Sequence, residues 1–405
     1  MRPYNMRWLE VNNVAQARKV LEQIGVDDGG IPYMVGKAVT RVIKLEKVPT
    51  SAAHILKQEM LALGGDAAVN RNLITGTVDT TDVVLLGTYK QLKRLAIKLK
   101  AQPFKRLKKI AEALNILLAN LEKAPITHLD CNGKQLELGS KTLLMGILNI
   151  TPDSFSDGGR YLAVEAALSQ AERLIQEGAD ILDIGAESTR PGHTEISAEE
   201  EWARLEPVLK ELVPNCPVPV SVDTQKAKVA EKALNLGVHI INDIWGLQKD
   251  PDMAKTIGQS QAAVVLMHNK NEKEYQNLLG EIMEFLEQSI ELALKNGIKE
   301  NRIILDPGIG FGKTPEQNME VISRLNEFKT LGYPFLLGVS RKSVIGNTLN
   351  LPVEERLEPT LALGTLGVVA GVDILRVHDV LEHKKAITMA DQIIRRTKGE
   401  LYEGR

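Results

Sequence analysis

Eight short apolar segments alternate with helix-length amphipathic segments over the last two thirds of this 405-residue chain. Each short segment is almost continuously apolar, as expected of a strand that is buried on both faces. Strands that alternate with helices in this way usually form a parallel sheet. The predicted strands span residues 143–149, 180–185, 218–223, 239–243, 263–268, 302–307, 334–340 and 373–378.

Two α/β architectures fit this alternation. Eight strand–helix units within about 250 residues favour a (β/α)₈ TIM barrel. An open, doubly wound sheet is the alternative, but no glycine-rich dinucleotide fingerprint follows the first strand. Residues 126–138 predict a β-hairpin around Asn132-Gly133, and this hairpin would cap the barrel at its N-terminal end.

A change in charge near Pro125 predicts a boundary between two domains. Residues 1–125 carry 20 Lys and Arg against 11 Asp and Glu, whereas residues 126–405 carry 30 against 41. We therefore predict an N-terminal domain over residues 1–125 and a barrel domain over residues 126–405.

The N-terminal domain is predicted to be a small α/β unit of unknown role. Residues 38–48 and 81–89 have the alternation of strands, and residues 51–65 predict a helix that ends at glycine. Residues 90–109 hold nine Lys and Arg and no acidic residue, which is typical of a solvated helix face. Docking to an acidic surface or weak RNA binding remain open for this segment.

Each predicted barrel strand ends in polar or charged residues. Functional residues of TIM barrels lie at the C-terminal ends of the strands, so these side chains are expected to form one ring around the barrel mouth. The ring would contain Asn149, Asp183, Asp223, Asn242, His268, Asp306, Ser340 with Arg341 and Lys342, and Arg376 with His378.

The polar residues of the ring divide by chemistry. Asp223, Asn242 and Asp306 suit a flat heterocycle with amino and ring N–H groups, because a carboxylate can accept two parallel N–H bonds. A second set suits an anion such as a phosphate or diphosphate. That set comprises Asn149, Arg190, Arg376 and His378, while Lys342 and Ser343 could serve either ligand.

Two long loops follow the first two strands, at residues 150–161 and 186–197, and each is a candidate lid over a substrate. The segment 308–314, GIGFGKT, resembles a phosphate-binding loop but has three residues, not four, between its first glycine and Gly-Lys. We therefore predict that it does not bind a nucleotide.

Seven motifs of the barrel segment closely resemble those of dihydropteroate synthases. They are MGILNITPDSFSDGG (145–159), DIGAESTRPG (183–192), SVDT (221–224), INDIWG (241–246), LDPGIGFGKT (305–314), GVSRKSVIG (338–346) and RVHDV (376–380). The resemblance covers residues 126–405 and implies a (β/α)₈ barrel. It also implies the reaction of that family, in which 6-hydroxymethyl-7,8-dihydropterin diphosphate and p-aminobenzoate give 7,8-dihydropteroate and diphosphate for folate biosynthesis.

The resemblance also implies roles for individual residues. The pterin would be held by Asp223, Asn242, Met267, Asp306, Phe311 and Lys342. The diphosphate would be held by Asn149, Arg190, Arg376 and His378, with Asn149 as ligand to a Mg²⁺ cofactor. The p-aminobenzoate site would be framed by Thr189, Arg190, Pro191, Lys342 and Ser343, under a lid loop that carries Asp153, Phe155 and Asp157. The catalytic set would be Asn149, Asp223, Lys342, Arg376 and His378, with no strong general base, since the arylamine is already a nucleophile.

Two other readings share the pterin residues. One is a pterin-dependent methyltransferase of corrinoid metabolism, which would not need the STRPG and SRK loops. The other is a non-catalytic pterin-binding protein, which would be expected to lack Arg376, His378 or the loop aspartates, and all of these are present.

Composition limits the cellular setting. Two cysteines are too few for a disulfide framework and indicate reduced thiols in the cytoplasm. No apolar run has the length or continuity of a membrane span, and the first residues do not read as a signal peptide. Aromatic residues make up only 4%, so nucleic-acid stacking is not expected. The expected partners are the two small substrates, and the resemblance implies a homodimer and a sulfonamide target.

Overall fold

The computed structural model describes residue 4 and residues 6–73, 76–122, 126–150, 160–187 and 195–395. The chain divides into two compact units, one within residues 1–124 and one within residues 125–399. Each unit has a hydrophobic core of its own. No helix among the described residues is long and apolar enough to cross a membrane.

The first unit is an α/β unit, as predicted, and its antiparallel sheet has a third strand beyond the two that the sequence indicates. Its strands are Thr40–Pro49 (β1), Asp66–Val69 (β2) and Thr80–Thr88 (β3), in the order β1-β3-β2. Its helices are Val14–Gln23 (α1), Ile31–Ala38 (α2), Thr50–Ala62 (α3), Tyr89–Ala101 (α4) and Lys105–Glu122 (α5). Thr88 and Gln91 form a capping box that starts the basic helix α4 directly after β3. Leucines of α3, α4 and β3, such as Leu56, Leu92 and Leu85, fill the core.

The second unit begins with the predicted hairpin, formed by His128–Cys131 (β4) and Lys134–Glu137 (β5). Asn132 and Gly133 both have positive φ, as a tight two-residue turn requires.

Eight parallel strands follow the hairpin and form the predicted barrel. They are Leu143–Asn149 (β6), Ile181–Gly185 (β7), Val220–Asp223 (β8), Ile240–Asp243 (β9), Ala263–Met267 (β10), Ile303–Asp306 (β11), Leu336–Leu337 (β12) and Ile374–Val377 (β13). The strand order is β11-β10-β9-β8-β7-β6-β13-β12, and a parallel bridge between Leu305 and Phe335 closes the ring.

One strand is shorter than predicted. The segment 334–340 contributes only the two residues of β12. Pro334 has no N–H to donate at its start, and Arg341 turns the chain with a positive φ soon after its end.

Helices surround the barrel on its outer face. They are Arg160–Glu177 (α6), Ala198–Asn215 (α7), Ala227–Asn235 (α8), Met253–Gly258 (α9), Leu278–Lys295 (α10), Pro315–Ser323 (α11), Ser343–Leu349 (α12), Leu357–Ala370 (α13) and Val380–Ile394 (α14). Short 3₁₀ turns lie at Arg71–Leu73, Glu300–Arg302, Leu325–Leu331 and Val353–Glu355. Ser197, Asn277 and Thr314 each cap a helix with a side-chain oxygen that accepts a backbone N–H.

The inside of the barrel changes from apolar to polar along the strands. Its N-terminal half is filled by residues such as Met145, Ile181 and Val265, which pack against the hairpin residues Leu129 and Leu136. The hairpin therefore plugs this end of the barrel. The polar residues that end the strands lie at the opposite end.

Candidate active site

A cavity of about 640 Å³ lies at the C-terminal ends of the barrel strands. Its wall contains every predicted site residue that the structure describes. These residues are Asn149, Asp223, Asn242, Met267, Asp306, Phe311, Lys342, Ser343, Arg376 and His378. The predicted residues Asp153, Phe155, Asp157, Thr189, Arg190 and Pro191 lie outside the described residues.

Strand register brings the acidic and amide groups of the site together. Asp223 on β8 is level with Asn242 on β9, and Met267 on β10 is level with Asp306 on β11. These residues are far apart in sequence but adjacent at one edge of the parallel sheet. This arrangement places a row of hydrogen-bond acceptors along one wall of the cavity.

Arg376 is held by two aspartates. Its Nε lies 2.6 Å from Oδ2 of Asp183, and its Nη2 lies 2.8 Å from Oδ2 of Asp223. Asp183 is completely buried and also accepts a 3.0 Å hydrogen bond from Nδ2 of Asn242. Asp183 was expected in the ring, but the sequence indicated no role for it.

Two of the predicted ring members do not reach the cavity wall. Asp183 lies beneath Asn242 and Arg376. His268 is buried, packs against the rings of Tyr275 and Phe285, and lies 2.9 Å from Lys313. His268 is therefore a packing and hydrogen-bonding residue, because its ring contacts Tyr275, Phe285 and Lys313 and does not line the cavity.

Burial shifts the pKa values of three ionisable residues that line the cavity. It raises the pKa of Asp223 to about 7, although the charge of Arg376 opposes this rise. Burial also raises the pKa of Asp306, with Lys342 opposing. Burial lowers the pKa of Lys342 to about 8, against the attraction of Asp306. Asp223 and Lys342 therefore titrate near neutral pH, and shifted pKa values of this kind are common at functional sites.

Lys342 lines the cavity and packs closely against the loop of Ile309, Gly310 and Phe311. Its Nζ lies 4.8 Å from the centroid of the Phe311 ring and donates to the carbonyl oxygen of Ile309. A Cβ atom on Gly310, which has a φ of +87°, would lie 3.2 Å from Cδ of Lys342. Glycine at this position therefore provides both the backbone angle and the space for the lysine.

The turn that carries Lys342 and Ser343 is fixed by contacts on both sides. Arg341 has a φ of +55° and forms a bidentate pair with Asp379, at 2.9 and 2.5 Å. Its backbone N–H donates to the hydroxyl of Thr360 at 3.1 Å. These contacts hold the backbone of Arg341 in the left-handed region, where non-glycine residues are uncommon.

The base of the second long loop is held by a buried ionic cluster. The Oε1 of Glu187 accepts from the backbone of Ile196 at 2.9 Å, so it joins the two ends of the loop. The Nζ of Lys226 lies 2.7 Å from Glu187 and 2.6 Å from the fully buried Glu201. The sequence alone does not reveal this cluster, because its members belong to three separate segments.

The lysine of the GIGFGKT segment points into its own loop. Lys313 is buried, and its Nζ donates to the carbonyl oxygens of Gly308 and Phe311 at 3.0 and 3.1 Å. Burial lowers the pKa of Lys313 to about 7. The lysine thus fastens its own loop.

The described residues contain no cluster of three or more His, Cys, Asp or Glu side chains that could hold a metal ion. Asn149 ends β6 at the cavity wall, and none of the hydrogen bonds found among the described residues involves its side-chain amide. A Mg²⁺ ion keeps several waters and is often held by one or two protein groups with substrate phosphates. The donor set here fits an ion of that kind and offers no cage formed by the protein alone.

Comparison with known proteins identifies the family. Residues 145–378 match the model of a family described as pterin binding enzyme. The chain is 51% identical over 264 residues to the dihydropteroate synthase of Clostridium beijerinckii, a match that covers 65% of this chain and 98% of that protein. A crystal structure of the Clostridium difficile enzyme, determined in the presence of pteroic acid, is also 51% identical. It covers 64% of this chain and 99% of its own, with a TM-score of 0.63.

A third relative extends over the N-terminal unit. It is a probable bifunctional folylpolyglutamate synthase/dihydropteroate synthase of Halobacterium salinarum, 40% identical over 390 residues. That match covers 94% of this chain, so it includes most of the N-terminal unit, and 46% of the relative. Together with the cavity and its residues, these matches show that the chain belongs to the dihydropteroate synthase family of pterin-binding enzymes.

Proposed function

We propose that this protein condenses 6-hydroxymethyl-7,8-dihydropterin diphosphate with p-aminobenzoate, giving 7,8-dihydropteroate and diphosphate. The observation that carries the proposal is the cavity itself, whose wall contains all ten predicted site residues that the structure describes. The Clostridium difficile relative was crystallised in the presence of pteroic acid, which supports pterin and p-aminobenzoate as the ligands.

The pterin is proposed to bind against the acceptor wall. Asp223, Asn242 and Asp306 accept from the amino and ring N–H groups of the heterocycle, and Met267 and Phe311 pack on its faces. The two carboxylates also stabilise positive charge that develops on the pterin methylene as its C–O bond breaks. Lys342 adds a donor at the rim of this wall.

The diphosphate leaving group is proposed to bind at Asn149, Arg376 and His378. The aspartates engage only Nε and Nη2 of Arg376, which leaves other N–H groups of the guanidinium for an anion. A hydrogen bond of 2.9 Å between Nδ1 of His378 and the hydroxyl of Ser340 fixes the imidazole ring. Arg190 is proposed to contribute from the second long loop.

Mg²⁺ is the proposed cofactor, with Asn149 as its protein ligand. When bound, the ion neutralises negative charge on the departing diphosphate. The protein's own residues orient that diphosphate, since Arg376 and His378 approach from the last barrel strand.

The p-aminobenzoate is proposed to bind at Lys342 and Ser343, with Thr189, Arg190 and Pro191 on the facing loop. The loop that carries Asp153, Phe155 and Asp157 is proposed to close over it. The arylamine attacks the pterin methylene directly, so the mechanism assigns no side chain as a strong general base. The amine proton passes to solvent after the C–N bond forms.

The catalytic domain is proposed to comprise residues 126–405, and residues 1–125 are proposed to form a separate domain. We also propose a homodimer, because two helices of the barrel expose apolar side chains that lie on neighbouring turns. These side chains are Leu366 and Val369 on α13 and Met389 and Ile393 on α14, each more than half exposed. Cytoplasmic location is proposed from the two cysteines, which are both free thiols.

An assay of the purified full-length protein tests the proposed reaction. It supplies the dihydropterin diphosphate, p-aminobenzoate and Mg²⁺, and follows dihydropteroate and diphosphate in parallel. Equal amounts of both products are expected. Binding of the pterin without any release of diphosphate would refute the synthase and favour a protein that only binds pterins.

A further inference from the structure

Asp183 lies on β7 beneath the cavity and has no part in the mechanism proposed above. Its side chain is completely buried, and it is absent from the cavity wall that contains its neighbours Asn242 and Arg376. Burying a carboxylate is costly unless it is fully paired. The Oδ1 atom of Asp183 nevertheless has no hydrogen-bond partner among the described residues. Stability alone therefore does not explain this residue.

The other oxygen of Asp183 connects two residues of the cavity wall. Oδ2 accepts from Nδ2 of Asn242 at 3.0 Å and from Nε of Arg376 at 2.6 Å. A carboxylate can only accept hydrogen bonds, so the amide of Asn242 must turn its nitrogen toward Asp183. The amide oxygen of Asn242 is then left for the cavity, where no described residue donates to it.

We propose that Asp183 is a positioning residue that sets the donor and acceptor pattern of the pterin site. It does so by fixing the orientation of the Asn242 amide, so that this residue presents an oxygen beside the carboxylates of Asp223 and Asp306. The inference rests on the proposed pterin site. This pattern of acceptors favours a ligand edge that carries N–H groups. It disfavours an edge that carries a carbonyl oxygen, because two acceptors would then face each other.

The neighbouring strand β8 supports an orienting role for Asp183. Ser221 lies opposite Asp183 in the register of β7 and β8, and its hydroxyl is also buried, with no hydrogen-bond partner in the described part of the chain. The carboxylate of Asp183 and the hydroxyl of Ser221 do not bond to each other, as they would if this pair stabilised the fold. The bonds that Asp183 does make both lead to side chains that line the cavity.

The test compares two ligands that differ at a single position. In 6-hydroxymethyllumazine, a carbonyl oxygen replaces the 2-amino group of 6-hydroxymethylpterin. We expect the wild-type protein to bind the pterin at least tenfold more tightly by calorimetry, because acceptors in the site pair with an amino group at position 2 and not with a carbonyl oxygen there. In Asp183→Asn, the amide of Asn242 can turn either way, so this preference should fall at least fivefold. The KM for p-aminobenzoate should stay within twofold of wild type.

Asp243→Asn is the matched control. Asp243 is also buried and lies on the same strand as Asn242, but its carboxylate accepts from the backbone of Trp245 and Leu247. This variant should lose thermal stability and keep the wild-type ligand preference. A folded Asp183→Asn protein with a preference within twofold of wild type would overturn the proposal.

The double variant Asp183→Asn, Asn242→Asp exchanges the two residues and tests for rescue. It also provides the test if the single variant does not fold. It restores a hydrogen bond between the two positions with its direction reversed, and it leaves an acceptor oxygen at position 242. The preference for the pterin should return to within threefold of wild type, and its continued loss would contradict the inference. Wild-type protein that binds the pterin selectively but has no turnover would refute the proposed reaction and leave this inference standing.

Discussion

The ammonium group of Lys226 lies 2.6 Å from Oε2 of Glu201, a carboxylate that is fully enclosed. Burial raises the pKa of Glu201, and Lys226 opposes that rise. The same lysine reaches Glu187 at the base of the second long loop. A single cation therefore connects the interior of the helical layer to the loop where p-aminobenzoate is proposed to bind.

Removing the charge of Lys226 should lower the free energy of unfolding and weaken p-aminobenzoate binding at the second long loop. In Lys226→Met, a buried carboxylate loses its partner, so we expect the free energy of unfolding to fall by about 3–5 kcal/mol. We also expect the KM for p-aminobenzoate to rise more than the KM for the pterin substrate. Urea denaturation and steady-state kinetics provide the measurements. Lys228→Met, at an exposed position on the same helix, should change neither quantity.

The raised pKa of Asp223 predicts a specific pH dependence of stability. The carboxyl shifts from 3.8 to about 7 on folding, so the folded state binds its proton more tightly than the unfolded state between these values. The contribution of Asp223 to stability is therefore lost as pH rises through this window, by roughly 4 kcal/mol.

The variant Asp223→Asn cannot lose a proton, so its stability should improve relative to wild type as pH rises from 4 to 8. Denaturation of both ligand-free proteins across this range measures the difference. Asp252→Asn, at an exposed site, should follow the wild-type curve. A constant difference between wild type and Asp223→Asn would show that burial does not control this carboxyl.

Activity should depend on the space that Gly310 leaves for Lys342, as well as on its positive φ. Gly310→Ala forces a methyl group to 3.2 Å from Cδ of Lys342, so we expect kcat/KM to fall at least tenfold. Gly297→Ala is the control, because Gly297 has a φ of +86° and open space around its Cβ position. Both variants should lose about 1–2 kcal/mol of stability from the left-handed backbone. Equal activity in the two variants would show that the space at Gly310 does not position Lys342.

The proposed dimer face can be tested by placing charges on it. The double variant Leu366→Lys, Val369→Lys should shift the protein from dimer to monomer in analytical ultracentrifugation, because two buried ammonium groups would oppose association. Leu294→Lys introduces a lysine at an exposed leucine of α10 and should leave the mass unchanged. A wild-type protein that sediments as a monomer at micromolar concentration would refute the dimer.

Residues 126–405 alone should fold and retain turnover. Their core is separate from that of the N-terminal unit. The Clostridium beijerinckii relative, moreover, is covered to 98% by only 65% of this chain. We expect kcat of the truncated protein within threefold of the full-length value, with a cooperative unfolding transition. An aggregated or inactive product would assign a structural or catalytic role to residues 1–125.

The sequence predicts the barrel well because its strands are buried on both faces. Alternation along β6 places Met145 in the apolar plug and Asn149 at the mouth, and the same logic applies to the other strands. Strand-end positions alone were therefore enough to find Asp223, Asn242, Asp306 and Arg376, and the resemblance added their roles.

Contacts between distant segments could not be predicted in this way. Asp183 is predicted at a strand end like Asp223, but β7 continues to Gly185, which is level with Asp223, so Asp183 lies below the cavity that Asp223 lines. The partner of Lys226 is a glutamate 25 positions earlier on a different helix. The shortness of β12 depends on Pro334 and on the turn at Arg341, whose positive φ is imposed by Asp379 and Thr360.

The hairpin that plugs the N-terminal end of the barrel has a kinetic consequence. Leu129 and Leu136 fill that end, so both substrates and both products share the opposite opening. The pterin is proposed to bind against the strand-end wall and p-aminobenzoate directly under the lid loop, so the pterin must enter first. This predicts compulsory-order kinetics, in which p-aminobenzoate analogues inhibit uncompetitively against the pterin substrate.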